Sequence, residues 1–161
     1  MSRSTVAALV IWPALAFAAP TPLTSTITRA PLEPAVVVVP ADAGKTVLDR
    51  YRAHTPPTSG TPLVVIVRLP DANTPDVIAV TDAQRDGTKI SIKLEARRYD
   101  GTLHANEVTT PLVEIALGTL PKGSYTIDID ERILHFSKID APQTATKGHK
   151  GLQSTISLTV Q

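Results

Sequence analysis

The chain of 161 residues contains no cysteine. Disulfides are therefore excluded, and a folded domain must obtain its stability from its hydrophobic core. Asn-x-Ser/Thr glycosylation sites are also missing, since neither Asn73 nor Asn106 has the required third residue. Aromatic residues make up only 4% of the chain, although 42% of it is hydrophobic. The apolar content is mainly aliphatic and large enough to predict a folded protein rather than a disordered one.

A surplus of charge is missing as well. The formal net charge is +1, and it falls to zero if an N-terminal segment containing Arg3 is removed. Two small basic spots remain, at residues 97–98 and 147–150. A neutral domain has no general electrostatic attraction for nucleic acids or anionic membranes, so we expect no nucleic-acid partner.

Residues 1–18 have the pattern of a signal peptide. Arg3 precedes an apolar run at residues 6–17, and Ala16 and Ala18 occupy the small-residue positions of a cleavage site. The apolar run is shorter than the ~20 residues that span a bilayer, and Pro13 interrupts it. We therefore expect export to the periplasm or the medium, with no integral membrane segment after cleavage.

The rest of the chain is predicted to consist mainly of short strands. Its 14 prolines and 8 glycines suit strands joined by turns. Residues 19–34 are predicted to form a Pro/Thr-rich linker or an edge strand, and residues 35–161 a single domain. The predicted strands cover residues 36–39, 63–69, 77–80, 89–99, 112–117, 125–130, 133–136 and 152–160.

Local patterns refine several of these elements. Residues 89–99 alternate between apolar and polar side chains, which is typical of an antiparallel strand with one face in solvent. Residues 36–39 are all valine, which predicts a strand covered on both faces or one at a crossing between sheets. Residues 42–53 predict a helix with Asp42 as its cap. We expect a tight turn at residues 130–131 and a polar loop at residues 141–151.

Leu120, Gly123 and Tyr125 form an L-x-x-G-x-Y pattern between two of the predicted strands. Residues 112–127 as a whole resemble the tyrosine corner of immunoglobulin-like and fibronectin type III-like modules of bacterial secreted proteins. In such a corner the tyrosine hydroxyl bonds to backbone upstream and fixes the crossing between two sheets. The resemblance implies an all-β, immunoglobulin-like Greek-key sandwich of about seven to nine antiparallel strands with one short helix.

The resemblance also has implications for function. Modules of this group mostly bind, space or support other molecules. The chain differs from antibody-type domains because it has no cysteine pair and no tryptophan in the predicted core, Trp12 lying in the predicted signal peptide.

Two sequence motifs imitate ligand sites incompletely. Gly44-Lys45-Thr46 follows a valine strand and precedes a predicted helix, but a phosphate-binding loop also needs a glycine where Val39 stands. Residues 82–87 have the outline of a calcium loop, but its twelfth position, where a bidentate carboxylate is needed, is Lys93. We interpret the first motif as a connector and the second as a β-hairpin turn.

Metal ligands and catalytic groups are scattered along the chain. None of the four histidines has a second histidine or a cysteine at ligand spacing, so a zinc or copper site would have to be assembled by the fold. Asp128 and Asp130 are predicted to share a solvent-facing strand surface with each other, near Glu131. No nucleophile motif such as G-x-S-x-G occurs. We therefore expect no catalytic residues, no cofactor and no enzymatic activity.

The sequence thus predicts an exported, non-catalytic binding or structural accessory domain. Its partner would be another protein or a component of the cell envelope. One alternative is a secreted protease inhibitor that presents the stiff Pro-rich loop 55–62 to its target. Another alternative is a metal-binding periplasmic domain. The candidate contact residues lie in two predicted loops and are Pro56, Pro57, Ser59, Lys147, His149 and Lys150.

Overall fold

The computed structural model describes residues 21–29, 35–73, 75–101, 108–145 and 147–161. The predicted signal peptide, residues 1–18, and part of the predicted linker lie outside these ranges. The elements are β1 (Thr21–Pro22), β2 (Ser25–Arg29), β3 (Val36–Pro40), α1 (Val47–Ala53), β4 (Pro62–Arg68), β5 (Ala72–Asn73), β6 (Val77–Asp86), β7 (Lys89–Tyr99), β8 (Val108–Thr109), β9 (Pro111–Thr119), β10 (Gly123–Phe136), a 3-10 turn (Pro142–Thr144) and β11 (Lys147–Val160).

The longer strands form two sheets, which confirms the prediction of an all-β protein. Sheet A has the order β1-β6-β7-β10-β11, and sheet B has the order β2-β9-β4-β3. Buried residues of both sheets belong to one hydrophobic core. In β7 the alternation seen in the sequence places Ile90, Ile92 and Leu94 in this core, while Lys89 and Lys93 are exposed.

Strand β4 is covered on both faces, which explains its uninterrupted apolar run. Val65 and Val67 belong to the core between the sheets, whereas Val64 and Ile66 belong to a second cluster together with Tyr51 of α1. Strand β3 divides in the same way: Val38 packs against the main core and Val39 belongs to the second cluster. A strand with apolar neighbours on both faces needs no polar alternation.

Helix α1 begins later than residues 42–53 predict. Thr46, not Asp42, is its cap: the Thr46 hydroxyl accepts a hydrogen bond from the Asp49 N–H, and Asp49 reaches back to the Thr46 backbone in a capping box. Asp42 instead accepts a hydrogen bond from the Gly44 N–H at 2.9 Å, which closes a turn before the helix. The helix ends at His54, whose φ of 45° is left-handed.

The prediction of antiparallel strands throughout is wrong at the centre of sheet A. Strand β10 pairs with β7 in parallel, from Thr126 opposite Lys89 to Phe136 opposite Tyr99. Between these two strands the chain forms the two-residue strand β8, which pairs with β5, and then β9 of sheet B. Parallel neighbours in a sheet need such a crossover connection, because a tight hairpin can join only antiparallel strands.

The predicted turn at residues 130–131 is also wrong, and the predicted loop at residues 141–151 is wrong from Lys147 onward. Strand β10 continues through both acidic residues, with an irregularity in its pairing to β11 between Asp130 and Arg132. Strand β11 already begins at Lys147 and pairs with β10 on both sides of this irregularity. Lys147, His149 and Lys150 therefore lie on a strand, because pairing with β10 outweighs the low strand propensity of the glycines and lysines here.

Candidate functional site

The corner at residues 120–125 connects β9 of sheet B to β10 of sheet A. The Tyr125 hydroxyl donates a hydrogen bond to the Pro121 carbonyl oxygen at 2.9 Å. Leu120 is fully buried and Tyr125 is 7% exposed, and both belong to the main core. Gly123 is the first residue of β10. This geometry is that of a tyrosine corner, and its hydrogen bond is used for structure rather than for chemistry.

The loop between α1 and β4, residues 54–61, contains three of the predicted contact residues; we call it the proline loop. Pro56 and Ser59 are exposed and Pro57 is half-buried. The Ser59 N–H donates to the carbonyl oxygen of Gln161 at 2.8 Å, which links the tip of the loop to the residue that follows β11. The loop is therefore exposed, and its tip is tied to sheet A by a backbone hydrogen bond.

A second contact within the proline loop closes its turn. The hydroxyls of Thr58 and Thr61 are 3.1 Å apart, within hydrogen-bond distance of each other. Gly60 between them has a φ of 82°, a conformation that favours glycine. The tip of the loop thus depends on a specific turn residue as well as on its contact with Gln161.

The residues that imitate a phosphate loop are engaged in the turn before α1. Asp42 accepts from the Gly44 N–H and pairs with Lys45 at 3.3 Å. These contacts, with the Gly44 hydrogen bond foremost, hold the pKa of the Asp42 carboxyl below its usual range. Because Gly44, Lys45 and the helix cap Thr46 already have partners in the chain, the geometry agrees with a connector between β3 and α1.

The residues that imitate a calcium loop belong to a β-hairpin. Asp86 lies opposite Lys89, so Gly87 and Thr88 form a two-residue turn between β6 and β7, and Gly87 has a φ of 57°. Asp82 accepts a hydrogen bond from Lys93 Nζ at 3.0 Å. This bond holds the pKa of the Asp82 carboxyl below its usual range. The lysine at the calcium motif's twelfth position thus serves as the cross-strand partner of its first aspartate.

Asp128 and Asp130 lie on the outer surface of sheet A, as the period-two pattern predicts. Asp128 accepts a hydrogen bond from Thr155 at 2.8 Å and pairs with Lys89 at 3.2 Å. These contacts, the Thr155 bond first, hold the pKa of the Asp128 carboxyl below its usual range. Asp130 bonds instead to the Gln153 side chain. Each carboxylate therefore forms its own cross-strand pair with a residue of β11, and the two carboxylates do not act together.

Glu131 lies on the opposite face of β10 and is fully buried. Its Oε2 accepts a hydrogen bond from the Leu152 N–H at 2.7 Å, at the irregularity between β10 and β11. Its Oε1 has no partner among the described residues. The burial of Glu131 could have been predicted from the sequence, because Glu131 continues the alternation of Ile127 and Ile129 along β10. The turn expected at residues 130–131 ended the predicted strand too early for this prediction.

The fold brings two of the four histidines together. The rings of His135 on β10 and His149 on β11 have centroids 5.3 Å apart and planes inclined by 22°. The Nδ1 atom of His135 lies 2.7 Å from Asp100 Oδ1. His54 ends α1, and His104 lies outside the described residues. Within the described ranges, no group of three or more His, Cys, Asp or Glu side chains is arranged to hold a metal ion.

The outer surface of sheet A carries a shallow polar groove of about 420 Å³. Its floor is formed by β7, β10 and β11, whose side chains bond mainly to one another across the strands. A flat polar sheet surface of this kind suits contact with solvent or with another broad surface better than enclosure of a small molecule. The lining residues include Ser91, Lys93, Asp128, Asp130, Gln153 and Thr155.

Comparison of the chain with protein-family models, curated proteins and solved structures finds no match. Among the described residues, no helix has the length and apolar character needed to cross a membrane. The class of protein that the structure itself defines is an all-β domain of two sheets that share a core, with one short helix packed against the outside of sheet B.

Proposed function

We propose that this protein is an exported, non-catalytic binding domain that contacts another protein, or a cell-envelope component, through its proline loop. The observation that carries the proposal is the hydrogen bond from the Ser59 N–H to the carbonyl oxygen of Gln161, which anchors an otherwise exposed loop. Export rests on the signal-peptide pattern of residues 1–18.

The physical argument concerns the cost of ordering a loop on binding. Each loop or flexible side chain that becomes fixed in a complex reduces the affinity, so a loop held in one conformation beforehand binds at a lower cost. Pro56 and Pro57 restrict the backbone on one side of the tip, and the Thr58–Thr61 contact restricts the other side. Exposed loops on a rigid β scaffold are a common place for binding residues.

We also propose that the two sheets are connected in an immunoglobulin-like topology. The tyrosine corner between the sheets supports it, and the parallel pairing of β7 with β10 sets it apart from the antiparallel sheets of immunoglobulin domains. The proposed sandwich shares the tyrosine corner with immunoglobulin domains and differs from them in the parallel pairing of β7 with β10.

The proposal is tested by affinity capture from periplasmic extract and from culture medium, with the mature chain as bait. The loop variant Pro56→Ser/Pro57→Ser is compared with a control variant, Ser124→Ala/Thr126→Ala, which changes two exposed residues of β10. We expect the same protein or envelope component to be recovered with wild type and control and lost with the loop variant. Recovery that is equal with all three baits, or absent with all three, overturns the proposal.

A secreted protease inhibitor is the second candidate, and the same anchored loop favours it. An inhibitor loop must enter a cleft without collapsing, and the turn at Thr58, Gly60 and Thr61 keeps this tip in one shape. The test is inhibition of a panel of serine, cysteine and metalloproteases by the mature chain. Full protease activity across the panel contradicts the inhibitor hypothesis. It does not affect the binding proposal, which the capture experiment tests separately.

A further inference from the structure

We propose that His135 and His149 together bind one divalent transition-metal ion, with Asp100 as the residue that positions His135. The pairing depends on the register between β10 and β11, in which His149 lies opposite Ile133 and His135 opposite Lys147. The two histidines are therefore diagonal neighbours on one surface of the two strands. This inference does not depend on the proline loop or on the proposed binding function.

The spacing of the two rings fits a shared ion. With metal–nitrogen bonds of 2.0–2.1 Å, two imidazoles bound to one ion at a tetrahedral angle have ring centroids about 5 Å apart. The observed separation of the centroids is 5.3 Å. The rings are stacked, so shared binding requires the exposed His149 side chain to rotate toward Nε2 of His135 while Asp100 holds the His135 ring in place. Water would complete the coordination, since two histidines meet here among the residues that the structure describes.

Asp100 prepares His135 for this role. Its Oδ1 lies 2.7 Å from His135 Nδ1, so Nδ1 carries the hydrogen and Nε2 presents its lone pair when the ring is neutral. The backbone N–H of Asp100 donates to the Phe136 carbonyl oxygen at 2.8 Å, which holds Asp100 beside β10. A carboxylate that orients a metal-binding histidine in this way typically changes metal affinity by about 10- to 100-fold.

The type of ligand decides which ions the site can take. A groove of about 300 Å³ beside His149 has charged residues of both signs in its lining: Asp130, Glu131, Arg132 and Lys150. Arg98, which lies opposite His135 on β7, pairs with Asp76 at 3.0 Å. Hard ions such as calcium need six to eight oxygen ligands, and the two imidazoles supply none. Imidazole nitrogens prefer copper, zinc and nickel, with copper bound most tightly.

His149 is exposed and His135 is half-buried, so an ion from solution can reach both rings. The experiment is calorimetric titration of the mature, metal-free chain with copper(II), zinc and calcium chlorides. Electron paramagnetic resonance of the copper complex then gives the number of bound nitrogens. We expect saturable binding of one copper ion per chain with signals from two imidazole nitrogens, weaker zinc binding and no calcium binding.

Variants assign the site to its residues. His149→Ala and His149→Gln should each lower copper affinity at least about tenfold and remove one nitrogen signal, and Asp100→Asn should weaken binding by about tenfold. His54→Ala is the control, because His54 lies at the end of α1, and it should bind as wild type does. Thermal melting without metal checks that the variants are folded. Equal copper affinity in wild type and in folded His149→Gln overturns the proposal.

Discussion

The Tyr125 hydroxyl donates a hydrogen bond to the carbonyl oxygen of Pro121, four residues earlier and 2.9 Å away, across the point where the chain leaves sheet B for sheet A. The bond joins the two ends of one connection. It therefore restrains the angle at which β10 enters the centre of sheet A, where β10 contacts both β7 and β11.

Tyr125→Phe removes the hydroxyl and keeps the buried ring. We expect the free energy of unfolding to fall by about 1 kcal/mol, because a part-buried hydrogen bond is lost while the exposed Pro121 can turn its carbonyl to water. Urea denaturation measures the change. Tyr99→Phe is the matched control, since the Tyr99 ring packs against Phe136 at 5.5 Å and its hydroxyl bonds to no described residue. Equal denaturation midpoints for wild type and Tyr125→Phe would show that the bond contributes nothing.

Arg50 of α1 pairs with Glu114 of β9, and both side chains are mostly shielded, at 10% and 17% exposure. Arg50→Met should lower the free energy of unfolding by roughly 3 kcal/mol, because it leaves the Glu114 carboxylate without its partner beneath the helix. Adding Glu114→Gln should restore much of the loss, and a double-mutant cycle measures the coupling. Lys45→Met, in an exposed pair with Asp42, should leave the midpoint nearly unchanged. Additive effects of Arg50→Met and Glu114→Gln would contradict the coupling.

Gly151 is required by the buried Glu131. A Cβ at position 151 would collide with the Glu131 carboxylate, whose Oε2 is held by the Leu152 N–H. Gly151→Ala should therefore destabilise the protein by about 1–3 kcal/mol through overpacking. Gly44→Ala serves as the control, because the added Cβ would meet only the Asp42 side chain, at 3.3 Å. The prediction fails if both glycine variants melt at the same temperature.

Acid should destabilise the protein below about pH 4, which is the pKa of an unfolded aspartate. Hydrogen bonds and lysine partners hold the pKa of the Asp82 and Asp128 carboxyls below that value in the folded protein. The unfolded chain therefore binds protons first as the pH falls, and the stability due to these carboxylates is lost through their folded pKa values. Urea midpoints at pH 6, 4, 3 and 2 measure the profile. Asp128→Asn should flatten it, and an equally steep profile in that variant would contradict this assignment.

The sequence predicted the strands better than it predicted their partners. Period-two alternation identifies β7 and the start of β10 because it reflects which face meets the core, and the Gly87 turn follows from local backbone geometry. The alternation says nothing about which strand lies alongside. The parallel pairing of β7 with β10 depends on the single intervening strand in sheet B, a property of the whole topology.

The candidate sites show the same difference between local and long-range information. The corner could be recognised because Leu120, Gly123 and Tyr125 are close in sequence. His135 and His149 could not be paired from the sequence, because their contact depends on the register of β11 beside the irregularity in β10. The start of β11 was missed because Lys147 to Gly151 has the composition of a loop.

The central claim, that the proline loop is the contact surface, is tested most directly by site-specific photo-crosslinking in the cells that produce the protein. A photoreactive benzoylphenylalanine is placed at position 59, in the exposed tip of the loop, or at position 126, on the exposed surface of β10. The account predicts a discrete crosslinked product from position 59 and none from position 126. No product from position 59, or the same products from both positions, would contradict it.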